Sequence, residues 1–132
     1  MSKPLTPLAT VEAYFASLAT GDFARLGSLL ADDIVWHQPG QGALSKSYRG
    51  KDEVFALFGK FMEISGGTFK IHAVDSVMAN RDVVAATLAF SASNARGQIS
   101  MKGVDVMRVE NGLIKEVHLF SSDQAAEDAF WV

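Results

Sequence analysis

The sequence predicts an α+β domain in which three N-terminal helices pack on one face of a curved, mostly antiparallel β-sheet. Two observations carry the prediction. Apolar residues recur at a spacing of about 3.6 as far as Gly66-Gly67 and of about 2 from Thr68 onward. Turn residues then punctuate the second half at Asn80-Arg81, Asn94 to Gly97 and Asn111-Gly112. The chain has 132 residues, 48% hydrophobic and 20% charged, which suits a single domain over residues 1–132 with an ordinary core.

The elements follow in order. Thr6 before Pro7 reads as an N-cap with proline in the first turn. Leu8, Val11, Tyr14, Phe15 and Leu18 then form an apolar stripe that Gly21 ends. Asp22 caps a short second helix whose stripe is Phe23, Leu26, Leu29 and Leu30, ending near Asp32-Asp33. A strand from Ile34 to Gln38 follows, and Pro39-Gly40-Gln41-Gly42 opens a polar loop that runs to Arg49. Gly50, Asp52 and Glu53 start a third helix with an aromatic stripe of Val54, Phe55, Phe58, Phe61 and Met62. Four strands come next. Asn111-Gly112 is the strongest hairpin signal among them, because both residues tolerate the positive φ of a type I′ turn. The tail from Asp123 is expected to form a last helical turn that lays Phe130 and Trp131 on an apolar surface.

Composition excludes several classes of function. The formal charge is −3, and no basic run supplies the footprint that nucleic acid or an anionic membrane requires. The longest uncharged stretch, Val83 to Ala95, is too short to span a bilayer. The opening MSKPLTPLAT has no signal-peptide core, so a cytoplasmic location is expected. With no Cys there is neither a disulfide frame nor a thiol nucleophile. No His-x-His or His-Glu-x-x-His spacing occurs, nor a phosphate loop, nor a nucleophile elbow. Neither a metal nor a cofactor is therefore expected.

Alternation sorts the strands into faces. Met101, Gly103, Asp105, Met107 and Val109 share the inward face of their strand, so Asp105 is a carboxyl among apolar neighbours, where ionisation is penalised. The next strand contributes Val117, Leu119 and Ser121 to the same side. Val104, Val106 and Phe120 fall on the opposite face, too apolar to be left to water, which predicts a homodimer through the outer side of the sheet. Tyr14, on the buried stripe of the first helix, can join Asp105 in donating hydrogen bonds to one oxygen. In the strand Ile34–Gln38, Trp36 and Gln38 face the expected cavity. His37 points the other way, where it is either a general base or a histidine bonded at the rim. His72 and His118 read as surface or interface residues.

The layout VEAYFASLATGDFARLGSLLADDIVWHQPG, YRGKDEVFALFGKF and MKGVDVMRVENGLIKEVHLF resembles the SnoaL-like branch of the NTF2-like superfamily, which includes polyketide cyclases and ketosteroid isomerase. The resemblance spans nearly the whole chain and implies a cone of three helices over a curved sheet that commonly dimerises. It matches Tyr14 to the isomerase's oxyanion tyrosine and Asp105 to its partner acid. Gln38 stands where the isomerase has its aspartate base, and Phe58 stands for a supporting aromatic hydroxyl. The implied activity is acid/base chemistry on a polyketide- or steroid-like carbonyl compound by Asp105, Tyr14 and His37. The residues expected to bind the compound are Trp36, Gln38, Phe15, Leu18, Phe55, Phe58, Met62, Leu88, Phe90, Met107, Val117 and Leu119. The other reading of the same residues is a non-catalytic ligand-binding or interaction module.

Overall fold

The computed structural model describes residues 3–132. In chain order the elements are α1 (Pro7–Thr20), α2 (Phe23–Ser28), β1 (Leu30–Gln38), β2 (Lys46–Arg49), α3 (Lys51–Ile64), β3 (Lys70–Asn80), β4 (Val83–Asn94), β5 (Gly97–Glu110), β6 (Leu113–Ser121) and α4 (Gln124–Phe130). The six strands form one sheet in the order β2-β1-β6-β5-β4-β3. Every neighbouring pair is antiparallel except β1 and β6, which run parallel.

Local chemistry explains most boundaries. The Thr6 hydroxyl accepts the Ala9 N–H at 3.1 Å, and Gly21 ends α1 with φ 71°. The Asp22 carboxylate accepts the Arg25 N–H at 3.1 Å and starts α2. Asn111 and Gly112, with φ of 52° and 74°, make the tight turn that joins β5 to β6. Asp123 caps α4 by accepting the Ala126 N–H, and Phe130 and Trp131 are buried beyond it, as the tail pattern predicts.

Three features differ from the sequence expectation. The second helix stops at Ser28, because the Leu29 carbonyl accepts the Ile114 N–H at 2.8 Å and Leu30 pairs with Ile114 in the sheet. Both leucines are buried in either arrangement, so helical spacing alone could not separate the two. Phe23, expected in the buried stripe, is 61% exposed. Part of the expected polar loop is strand β2, whose Tyr48 lies across from Trp36 and is buried. Four residues of mixed polarity carry no readable period.

The helices cover one face of the sheet, and curvature leaves space beneath them. Strand β3, at the sheet edge, shifts register twice against β4, between Ile71 and Ala73 and between Val74 and Ser76. Each irregularity bends and twists an edge strand, so β3 curls under α1. Gly103 permits a close approach within the sheet. A Cβ there would meet the Phe120 carbonyl at 2.9 Å and the Phe90 ring at 3.3 Å, so glycine lets that ring lie flat over β5. The solid core lies at the other end, where Met107 and Val117 pair across β5 and β6 with Val84 beside them, all fully buried.

Candidate active site

A cavity of about 510 Å³ lies between the helical layer and the sheet. Its walls are largely aromatic. Phe58 of α3 meets Trp36 edge-on at 5.1 Å, while Phe61 and Phe69 pack against Trp131 at 4.8 and 5.7 Å. Polar groups reach it from six elements: Tyr14 on α1, Gln38 on β1, Lys70 and His72 on β3, Asp105 on β5, Ser121 on β6 and Glu127 on α4.

Asp105 is placed as alternation predicts. Its cross-strand neighbours are Ala86 and Leu119, so no cation lies beside it in the sheet, and what surface it keeps is toward the cavity. Burial, and then the charge of Glu127, push its carboxyl from 3.8 up to about 7. Tyr14 is buried beside Phe15, and burial followed by the charge of Asp105 raises its phenol well above 10. The phenol therefore keeps its proton and serves as a donor. Among the described residues, neither the Tyr14 hydroxyl nor the Asp105 carboxyl has a side-chain or backbone hydrogen-bond partner, and neither is a fully enclosed unpaired group. Both remain free for a ligand.

Gln38 is oriented by its neighbour. The Trp36 indole N–H, which can only donate, gives its hydrogen to the Gln38 Oε1 at 3.0 Å. The amide NH₂ is thereby left as the end of Gln38 that can meet a ligand oxygen. An amide takes no proton from carbon, so this position binds where an aspartate would act as base.

Glu127 was not anticipated. It is 6% exposed, and its carboxylate accepts hydrogen bonds from the Ser121 hydroxyl at 2.7 Å, the Gln124 amide at 3.1 Å and the Trp131 indole at 3.2 Å. The signal available in the sequence was the i, i+4 spacing of Glu127 and Trp131 after the Asp123 cap, which puts both on one face of the tail helix. Phe61, Phe69, Trp131 and the β3 residues Ile71 and Val74 also line the cavity without having been assigned to it.

Of the residues expected to bind, Phe15, Leu18, Trp36, Gln38, Phe58, Met62, Leu88, Phe90 and Leu119 line the cavity. Three do not. Met107 and Val117 are spent in the solid core, one pleat further along their strands. Phe55 turns toward α2, where Gly27 leaves room for its ring, and packs on Phe58 at 5.9 Å.

His37 does not converge with Tyr14 and Asp105. It lies on the outer face of the sheet, with Nδ1 2.7 Å from the Ser47 hydroxyl and Nε2 2.8 Å from Glu116 Oε2. There it stacks on His118, with ring centres 4.4 Å apart. Hydrogen bonding from His37 is the main reason that the Glu116 carboxyl lies below the usual carboxylate range. His72 is exposed near the cavity and bonds the Ser91 hydroxyl. Pairing across the sheet also brings His37, Glu116 and His118 together, a grouping that no short-range spacing encodes.

A curved sheet closed by helices over an apolar cavity defines the NTF2-like, cystatin-like class of α+β domain. The SnoaL-like domain pattern matches residues 11–117, and the chain belongs to that family. It is 32% identical over 122 residues to the uncharacterised protein Rv0034 of Mycobacterium tuberculosis, covering 92% of each chain. A protein of unknown function with a cystatin-like fold from Xanthomonas campestris is 44% identical, with a TM-score of 0.92 over 96% of this chain and 98% of that one. Bal32a, from a soil-derived mobile gene cassette, is 26% identical, with a TM-score of 0.89 over 96% of both chains. No described helix is long and apolar enough to cross a membrane.

Proposed function

We propose that the protein is an isomerase- or cyclase-type enzyme acting on a medium-sized hydrophobic carbonyl compound, with Asp105 as its acid/base. The observation that carries this reading is that the Asp105 carboxyl and the Tyr14 phenol both open to one aromatic cavity and have no protein hydrogen-bond partner among the described residues, with burial pushing the carboxyl up to about 7 and keeping the phenol protonated. A group with a pKa of about 7 is populated in both forms at neutral pH, which is the condition for taking up and returning a proton. In the proposed step, the Asp105 carboxylate removes a proton from the carbon next to the carbonyl. The Tyr14 hydroxyl and the Gln38 NH₂ hold the enolate oxygen. The protonated Asp105 then returns the proton, either to another carbon of the enolate or to the oxygen of a second carbonyl that the enolate carbon attacks. No second base is required, which accommodates Gln38 in place of an aspartate. The cavity supplies orientation by walls that select shape and apolarity.

The direct test is hydrogen–deuterium exchange at the α-carbon of a bicyclic aromatic ketone such as 1-tetralone, followed by proton NMR in D₂O. Wild-type protein is expected to accelerate the exchange, and Asp105→Asn to lose about 10²–10⁴-fold of that acceleration. Ketone binding, read by quenching of the fluorescence of Trp36 and Trp131, without any acceleration of exchange would instead favour the ligand-binding module.

We further propose that a second copy covers the outer face of the sheet over β3, β4, β5 and Phe120, leaving the β1–β6 seam open. Phe120 and Met78 are each 58% exposed there, and Val104 and Val106 lie between them in register.

A further inference from the structure

We propose that His37, Glu116 and His118 form a binding site for a borderline transition-metal ion, Zn²⁺ being the test case, on the face of the sheet opposite the cavity. The site is independent of the reading given to Asp105. It arises from the one parallel pairing in the sheet, where β1 and β6 set His37 against His118 and Val35 against Glu116. Residues i and i+2 of a strand share a face, so both imidazoles and the carboxylate project from the same side. Their donor atoms lie within 4.8 Å of one another, with Glu116 Oε2 2.8 Å from His37 Nε2 and 3.5 Å from His118 Nε2. Four-coordinate zinc, with bonds of about 2.0–2.1 Å, needs its ligands about 3.3 Å apart. Glu116 Oε2 and His118 Nε2 are already near that spacing; His37 and Glu116 must separate by about 0.5 Å, and His118, whose side chain is 50% exposed, must turn out of its stack on His37 so that both ring planes meet at one ion.

The neighbours support ligation rather than a bare ion pair. Ser47, opposite His37 in register, bonds Nδ1, which orients the ring and leaves Nε2 facing Glu116. Outer hydrogen bonds of this kind fix the tautomer of metal-bound histidines. Arg108 approaches the other carboxylate oxygen, Oε1, at 3.9 Å, so Oε2 remains turned to the imidazoles. At 2.8 Å, the His37 Nε2 and Glu116 Oε2 must have a proton between them, and a metal ion would take the place of that proton. Two imidazoles and one carboxylate suit Zn²⁺, Ni²⁺ or Cu²⁺ rather than Mg²⁺ or Ca²⁺, and three protein ligands leave a fourth position for water or an external ligand.

The test is isothermal titration of tag-free protein, stripped with EDTA and dialysed, against ZnCl₂ and separately against MgCl₂. One Zn²⁺ per chain with micromolar or tighter affinity, and no heat from Mg²⁺, is the expected result. His118→Ala and Glu116→Gln, each checked for native circular dichroism, should weaken zinc binding by at least about tenfold, and Ser47→Ala by about tenfold. His72→Ala, which alters the remaining histidine, should leave it unchanged. Zinc binding no tighter than millimolar, or binding that survives His118→Ala undiminished, would overturn the proposal.

Discussion

Replacing Asp105 by Asn should abolish a pH dependence of stability whose size follows from the structure. Burial and Glu127 move the Asp105 carboxyl from 3.8 to about 7 in the folded protein, and the unfolded chain has no such environment. The folded state therefore holds its proton more tightly than the unfolded state. The resulting stabilisation is present at low pH and is lost as the pH rises through the folded value. At about 1.4 kcal/mol per tenfold change in proton affinity, the full effect is about 4 kcal/mol. Between pH 5 and pH 8, a single group with these two affinities accounts for about 2.5 kcal/mol of lost stability. Asn has nearly the same shape and does not titrate, so Asp105→Asn should be more stable than wild type at pH 8 and should lack this component of the slope. Urea unfolding of both proteins at several pH values measures it, and subtracting one curve from the other removes the groups they share. Identical slopes over that interval would mean that Asp105 is an ordinary carboxylate and would refute the argument built on its burial.

Other outcomes follow from the same geometry. Glu127→Gln should lower the Asp105 pKa while leaving it above the ordinary value, since burial is the larger cause; carboxyl carbon NMR reads this directly. Tyr14→Phe should slow ketone exchange by about 10²–10³-fold with little loss of stability, because the hydroxyl it removes bonds none of the described side chains. Trp131→Ala should cost about 3–5 kcal/mol in thermal or urea unfolding, since it removes the ring packed on Phe61 and Phe69 and a donor to Glu127. Light scattering at micromolar concentration should give the mass of a dimer, with Phe120→Lys giving a monomer; a wild-type monomer would contradict the covered outer face.

Local chemistry was legible in the sequence because its signals are short-range. Thr6-Pro7 and Gly21 delimit α1, the Asn111-Gly112 turn joins β5 to β6, and simple alternation was enough to set Asp105 among apolar neighbours. Strand β2 was not legible, since four residues of mixed polarity become a strand only by pairing with β1. The end of α2 was equally hidden, because Leu29 and Leu30 are buried whether they serve a helix or a sheet.

The sequence by itself thus determined the order of helices and strands, the inward face of β5 and the acid on it. Only the tertiary structure decided what that acid meets. Glu127 comes to Asp105 from the C-terminal helix, Trp36 turns the Gln38 amide, and two register shifts in β3 bend the sheet that makes the cavity. His37 likewise left the expected site and joined Glu116 and His118 through the parallel pairing of β1 and β6. Period and turn chemistry act over a few residues, whereas a site is set by strand register and packing between segments far apart in the chain, and no local pattern encodes that register.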